Sequence, residues 1–102
     1  SDLEAAHDVI RALSTLPVEA RIAQVLLDLA DRLGEVHEDG ILIQSPLSQR
    51  DLAAMVASTA ATVSRVISRL RRRGYVATGR QWIRVRDRSA LASLADEAEH
   101  AR

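Results

Sequence analysis

The segment Leu47–Gly74, LSQRDLAAMVASTAATVSRVISRLRRRG, leaves a chain like this the fewest ways to fold. Ser48 stands where an N-cap belongs. Asp51, three residues on, is placed to return a bond to the backbone and to favour the positive pole of the helix dipole. Leu52, Met55 and Val56 then make one apolar face at helical spacing. The pattern runs out near Ala57 and Ser58, and Thr59 offers a second N-cap hydroxyl. Val63, Val66, Ile67 and Leu70 follow at i, i+3, i+4 and i+7, so one stripe of a second helix is buried. Gly74 ends it as a C′ glycine. Two capped helices on so short a joint describe a helix-turn-helix, whose second helix usually enters a DNA major groove.

Around this centre the chain reads as mainly α with a small β-hairpin wing, an α+β winged helix-turn-helix. Residues 1–14 open with a capping-box pattern, Ser1-x-x-Glu4, and Leu3, Ala6, Ile10 and Leu13 fall at a/d-like spacing. Thr15-Leu16-Pro17 predicts a break, with Pro17 in the first turn of a new helix. That helix buries Val18, Ile22, Val25, Leu26, Leu29 and Leu33 and stops at Gly34, while Arg21, Arg32, Asp28 and Asp31 read as its solvated outer face. Asp39-Gly40 before Ile41-Leu42-Ile43 predicts a tight turn into a strand, pairing back on Glu35–Glu38. Beyond Gly74, Tyr75–Thr78 reads as a strand, Gly79-Arg80 as a turn and Gln81–Arg86 as the returning strand. Asp87 caps a last helix through Leu91 and Leu94, with an acidic end (Asp96, Glu97, Glu99) expected to fray.

The formal net charge is zero, yet the charge is segregated along the chain. Residues 1–40 hold nine acids and three arginines, residues 50–88 ten arginines and two aspartates. Every basic residue is Arg, which favours bidentate phosphate and guanine recognition over point-charge attraction. A basic run on a helix-turn-helix and its wing marks a DNA face. There is no Cys, which excludes disulfides, thiolate catalysis and Cys-ligated metal from this stretch and fits a cytoplasmic setting. No apolar run approaches the ~18 residues of a membrane span. One His, His37, among Glu35, Glu38 and Asp39 has no metal-ligand spacing, and no serine has a local nucleophile motif. An enzyme is not expected.

The pattern LSQRDLAAMVAST-x-x-TVSRVISRLRRRGYV resembles the DNA-binding domain of CRP/FNR-type bacterial transcription regulators. It carries the capped first helix, the Thr62-Val63-Ser64-Arg65 core of the second, and the Arg-Leu-x-x-x-Gly ending at Gly74. A wing-like Ile83-Arg84-Val85-x-Asp87 follows, and Pro17–Ala30 (PVEARIAQVLLDLA) extends the likeness, which covers most of residues 15–91. Two departures matter. The family's turn glycine is Ala57 here, which costs little provided the site avoids positive φ. The first two exposed positions of the recognition helix, often Arg and Glu in the family, are Ala60 and Ala61.

The resemblance implies a division of the chain. Residues 1–14 correspond to the end of the helix that links the sensor to the DNA-binding domain and pairs two subunits. Residues 15–102 correspond to the winged helix-turn-helix, and the N-terminal sensor domain is absent from this chain. No cofactor is expected here, since the effector, often a cyclic nucleotide, binds that missing domain. The partners implied are double-stranded DNA, a second copy in a homodimer, and RNA polymerase. With the recognition helix at about 60–73 in the major groove and the wing, 75–86, on the backbone, Arg65 is the leading base reader, able to pair with guanine O6 and N7. Ser64, Ala60 and Ala61 complete the reading face, the alanines touching thymine methyl groups. Phosphate contacts fall to Ser48, Thr59, Thr62 and Arg80. The alternative is a winged-helix protein-interaction module with little base readout, its Ala60-Ala61 face docked on a partner. Surrounding arginines argue against that, because a protein-docking core is depleted in charge.

Overall fold

The computed structural model describes residues 2–44 and 47–100, with side chains described for 18–44 and 47–96. In chain order the elements are α1 (Asp2–Leu33), β1 (Glu35–His37), β2 (Gly40–Gln44), α2 (Gln49–Met55), α3 (Ala60–Arg72), β3 (Val76–Gly79), β4 (Trp82–Val85) and α4 (Arg88–His100). This is the α+β winged helix-turn-helix that the patterning predicts.

The predicted break at Thr15-Leu16-Pro17 is absent, and α1 runs as one helix from Asp2 to Leu33. Proline's fixed φ near −65° is itself helical. It forfeits one N–H bond and its ring crowds the carbonyl four residues back, a cost that helix-favouring neighbours such as Ala12, Leu13 and Ala20 offset. The side chains of Leu3, Ala6, His7, Ile10, Leu13 and His100, and the Ser1-x-x-Glu4 box, lie outside the described residues. At the other end of the chain, α4 continues to His100, past the acidic stretch expected to unwind.

One core joins these elements. Ile22 and Leu26 of α1, Leu52 and Val56 at α2, Val63, Val66 and Leu70 of α3, Ile43, Val76 and Val85 of the strands, and Leu91 of α4 are all buried. Two predicted core residues are not. Leu33 is 55 % exposed at the very end of α1, and Met55 is 51 % exposed. At 100° per residue, Met55 lies about 110° from the middle of the arc holding Leu52, Ala53 and Val56. Ala53 takes the buried place instead.

The strands form a single antiparallel sheet, ordered β1-β2-β4-β3. Both predicted hairpins exist, and pairing of β2 with β4 (Ile41 opposite Val85, Gln44 opposite Trp82) fuses them. The wing is thus the outer half of a four-stranded sheet. Its turn lies one residue later than predicted, because Gly79 pairs with Trp82 and leaves Arg80-Gln81 as the loop. The reason is packing: a Cβ on Gly79 would sit 2.3 Å from the Trp82 ring, so Gly79 serves close approach within the strand. Gln81 supplies the positive φ, +64°.

Candidate nucleic-acid interface

The site is built from the caps inward. At the start of α2 the Ser48 backbone N–H donates to Asp51 Oδ2 (2.9 Å), the Ser48 hydroxyl donates to the same oxygen (3.0 Å), and the Asp51 N–H donates to Ser48 Oγ (3.1 Å). This is the predicted capping box. The Ser48 backbone bond first, and its hydroxyl second, hold the Asp51 carboxyl below its usual range. With its only O–H proton committed to Asp51, Ser48 acts here as a cap.

α2 ends in a Schellman motif, Ser58 N–H to Ala53 O at 2.8 Å and Ala57 N–H to Ala54 O at 3.4 Å. The residue at C′ is Ala57, with φ +54°. The condition under which this alanine costs little is therefore not met. α3 starts at its N-cap Thr59, whose Oγ1 accepts from the Thr62 N–H (3.2 Å) and donates to Thr62 Oγ1 (3.0 Å). The Thr62 proton is left to point elsewhere. α3 closes in a second Schellman motif, Tyr75 N–H to Leu70 O and Gly74 N–H to Arg71 O, both 3.0 Å, with Gly74 at φ +78°.

Between those caps Val63, Val66, Ile67 and Leu70 face the core. The opposite side presents Ala61 and Arg65, both exposed and one turn apart, flanked by half-buried Ala60, Thr62, Ser64 and Ser68. The residues predicted to read bases thus share one face of one helix. Thr59 and Thr62 cluster at its N-terminus, Ser48 sits at the head of α2, and Arg80 is exposed in the β3–β4 loop.

The structure sorts the arginines into two groups. Arg32 pairs with Asp28 (3.2 Å), Arg88 with Asp31 (2.8 Å) and Arg84 with Asp39 (3.2 Å) while lying 5.4 Å over the Trp82 ring. Arg21, expected on a solvated face, is half-buried and donates from Nε to Val56 O at 2.9 Å, tying α1 to the turn. Arg69 and Arg73 reach the same carboxylate, Glu19 of α1, at 3.2 and 3.7 Å. By contrast Arg50, Arg65, Arg71, Arg72, Arg80 and Arg86 are exposed and without a hydrogen bond or ion pair among the described residues. Sequence reasoning missed Glu19. The signal was there, since Glu19 falls at i, i+3, i+4 and i+7 with Ile22, Ala23 and Leu26, on the stripe that must be buried.

Residues 20–94 match the family described as the Crp-like helix-turn-helix domain. The chain belongs to that family. It is 32 % identical over 100 residues to the transcriptional regulator SdrP of Thermus thermophilus, a match covering 98 % of this chain and 49 % of that protein. Among solved structures it resembles a CRP/FNR-family transcriptional regulator, also of Thermus thermophilus, at 33 % identity and a TM-score of 0.70, over 92 % of this chain and 48 % of the other. It also resembles the Thermus thermophilus catabolite activator protein, at 29 % identity and a TM-score of 0.77, over 95 % and 42 %. The chain spans about half the length of the relatives it matches. Among the described residues, no helix is long and apolar enough to cross a membrane.

Proposed function

We propose that this chain is the double-stranded DNA-binding part of a transcription regulator, with α3 in the major groove and the β3–β4 wing on the backbone. One observation carries the reading: the outward face of α3 presents an exposed, unpartnered Arg65 beside exposed Ala61, while the opposite face is buried. The second helix of a helix-turn-helix reads bases from its N-terminal half, where these residues lie. Arg65 is assigned to a guanine, Ala60 and Ala61 to thymine methyl groups, and Ser64 to a base or phosphate. Thr62 and Arg80 hold phosphates, and Thr59 does so only by giving up its hydroxyl bond to Thr62. Ser48 joins them only by giving up its bond to Asp51.

The intact protein on this reading is a two-fold dimer whose recognition helices enter successive major grooves about 34 Å apart. Residues 1–14 are assigned to the end of an inter-domain and dimerisation helix, ahead of a DNA-binding domain at 15–102, and α1 runs across that division without a break. A sensor domain outside this chain would take the effector, and RNA polymerase is a further partner of such a cytoplasmic regulator.

The test is retention of a randomised duplex pool at two salt concentrations, followed by sequencing. Enrichment of a half-site, or of a palindrome with one-turn spacing, supports the reading. Arg65→Ala should then relax one base pair, and equal losses on matched and scrambled DNA would refute its role. No retention at low salt, by this chain or by a dimerised form of it, would instead favour a protein-docking module.

A further inference from the structure

Glu19 is the one charged residue among the described residues to be buried, at 4 % exposure, on the inner stripe of α1. Its Oε2 lies 3.2 Å from Arg69 Nη1 and its Oε1 3.7 Å from Arg73 Nη1. Both arginines belong to the end of α3. Two residues along α1, Arg21 donates to Val56 O at the end of α2. Two positions on one helix therefore grip both halves of the helix-turn-helix through polar contacts. On α3 the row Arg65, Arg69, Arg73 repeats every fourth residue, so each is turned about 40° from the one before. The last two are clasped to α1. The first is free and faces outward.

We propose that Glu19 is a positioning residue for base recognition: by holding Arg69 and Arg73 it sets the rotation of α3 about its own axis, and so where Arg65 points. The proposal rests on the DNA-binding reading. Apolar packing through Val63, Val66, Ile67 and Leu70 is strong but non-directional, and small rolls of a helix over such a surface change buried area little. The Arg69–Glu19 hydrogen bond is directional, and a roll of α3 breaks it, while Arg73 adds charge attraction to Oε1, which accepts no hydrogen bond. Glu19 is at the same time specificity-determining in a second way. It pairs the charge of two surface arginines that would otherwise attract any phosphate. Arg69 side-chain exposure is 36 %, so the group is near enough to solvent to be released.

The expected consequence is a split between specific and non-specific binding. In Glu19→Gln, affinity for the selected duplex should fall at least tenfold, whereas affinity for a scrambled duplex stays within about twofold or rises. Arg69→Gln opens the clasp from the half-exposed side and should give the same split if Glu19→Gln does not fold, which a circular-dichroism melt decides beforehand. Arg65→Ala combined with either variant should cost little further discrimination, because the clasp acts through Arg65. Parallel losses on both duplexes, tracking the folded fraction, would show a merely structural contact and overturn the proposal. So would unchanged discrimination in both clasp variants, or losses that simply add to that of Arg65→Ala. If the unaltered chain itself shows no discrimination, the sequence-specific reading falls, and this inference with it.

Discussion

Ala57 carries a methyl group where the backbone turns left-handed, at φ +54°. The same Schellman geometry closes α3, and there the C′ residue is Gly74. An L-residue in this region costs about 1–2 kcal/mol, part of which a glycine returns through the greater entropy of its unfolded chain. Ala57→Gly should therefore stabilise the fold by about 0.5–1 kcal/mol, raising the melting temperature by roughly 2–8 °C. A lower melting temperature would show that the turn relaxes in solution. Ala61 invites a different test. On the proposed assignment of Ala61 to a thymine methyl, replacing that thymine by deoxyuridine removes one methyl group and leaves the hydrogen-bonding edge intact. About 0.8 kcal/mol, a roughly fourfold loss of affinity, is expected, and Ala61→Gly should erase the difference. At this scale the sequence was legible wherever one residue type has one use: Val63, Val66, Ile67 and Leu70 are buried as their spacing requires. It was not legible where a partner decides. Arg21 looks like an ordinary helix charge until α2 is folded against it, and the spacing of Glu19 shows its burial but not its partners on α3.

Among the elements, α2 is the shortest helix and the most dependent on its cap. Ser48→Ala removes the N-cap acceptor and should cost about 1 kcal/mol. The Asp51 carboxyl is held below its usual range by the Ser48 N–H, so its ionised form is favoured in the fold. The sign follows: this stabilisation is full above the ordinary carboxylate range and is lost as pH falls through the lowered folded-state value. Melting temperatures of the chain and of Asp51→Asn should thus converge under acid and separate towards neutrality, and a constant gap would contradict the linkage. The wing is tested at Gly79. A methyl there would meet the Trp82 ring at 2.3 Å, so Gly79→Ala should shift the emission of this single tryptophan and cost about 1–3 kcal/mol. Unchanged emission would mean that the ring does not rest on the glycine. Both helices and both hairpins could be read from caps and alternation, which are local. The one-residue error in the wing turn arose because Gly79 signals a turn locally and serves a ring contact in space.

For the whole molecule, what escaped prediction was long-range. No local pattern announces that β2 pairs with β4, or that α1 crosses Pro17 without a break. The segregation of charge was legible, and the structure refines it by removing arginines from the count. Arg69 and Arg73 are spent on Glu19, Arg84 on Asp39 and Arg88 on Asp31. Besides Arg65, the arginines Arg50, Arg71, Arg72, Arg80 and Arg86 remain exposed and unpartnered among the described residues. A chain of zero net charge would be expected to feel salt weakly if its charge were spread evenly. Counterion release depends instead on the phosphates neutralised locally, at about 0.9 per contact in the slope of log affinity against log salt. If three or four of those five arginines reach phosphates, the slope should be roughly −3 to −4. Arg80→Ala should flatten it by about one unit and weaken matched and scrambled DNA alike, whereas Arg65→Ala, assigned to a base, should leave it nearly unchanged. A slope no steeper than about −1 for the unaltered chain would remove the backbone contacts from the proposal, because the free arginines would then be facing water in the complex as they do without DNA.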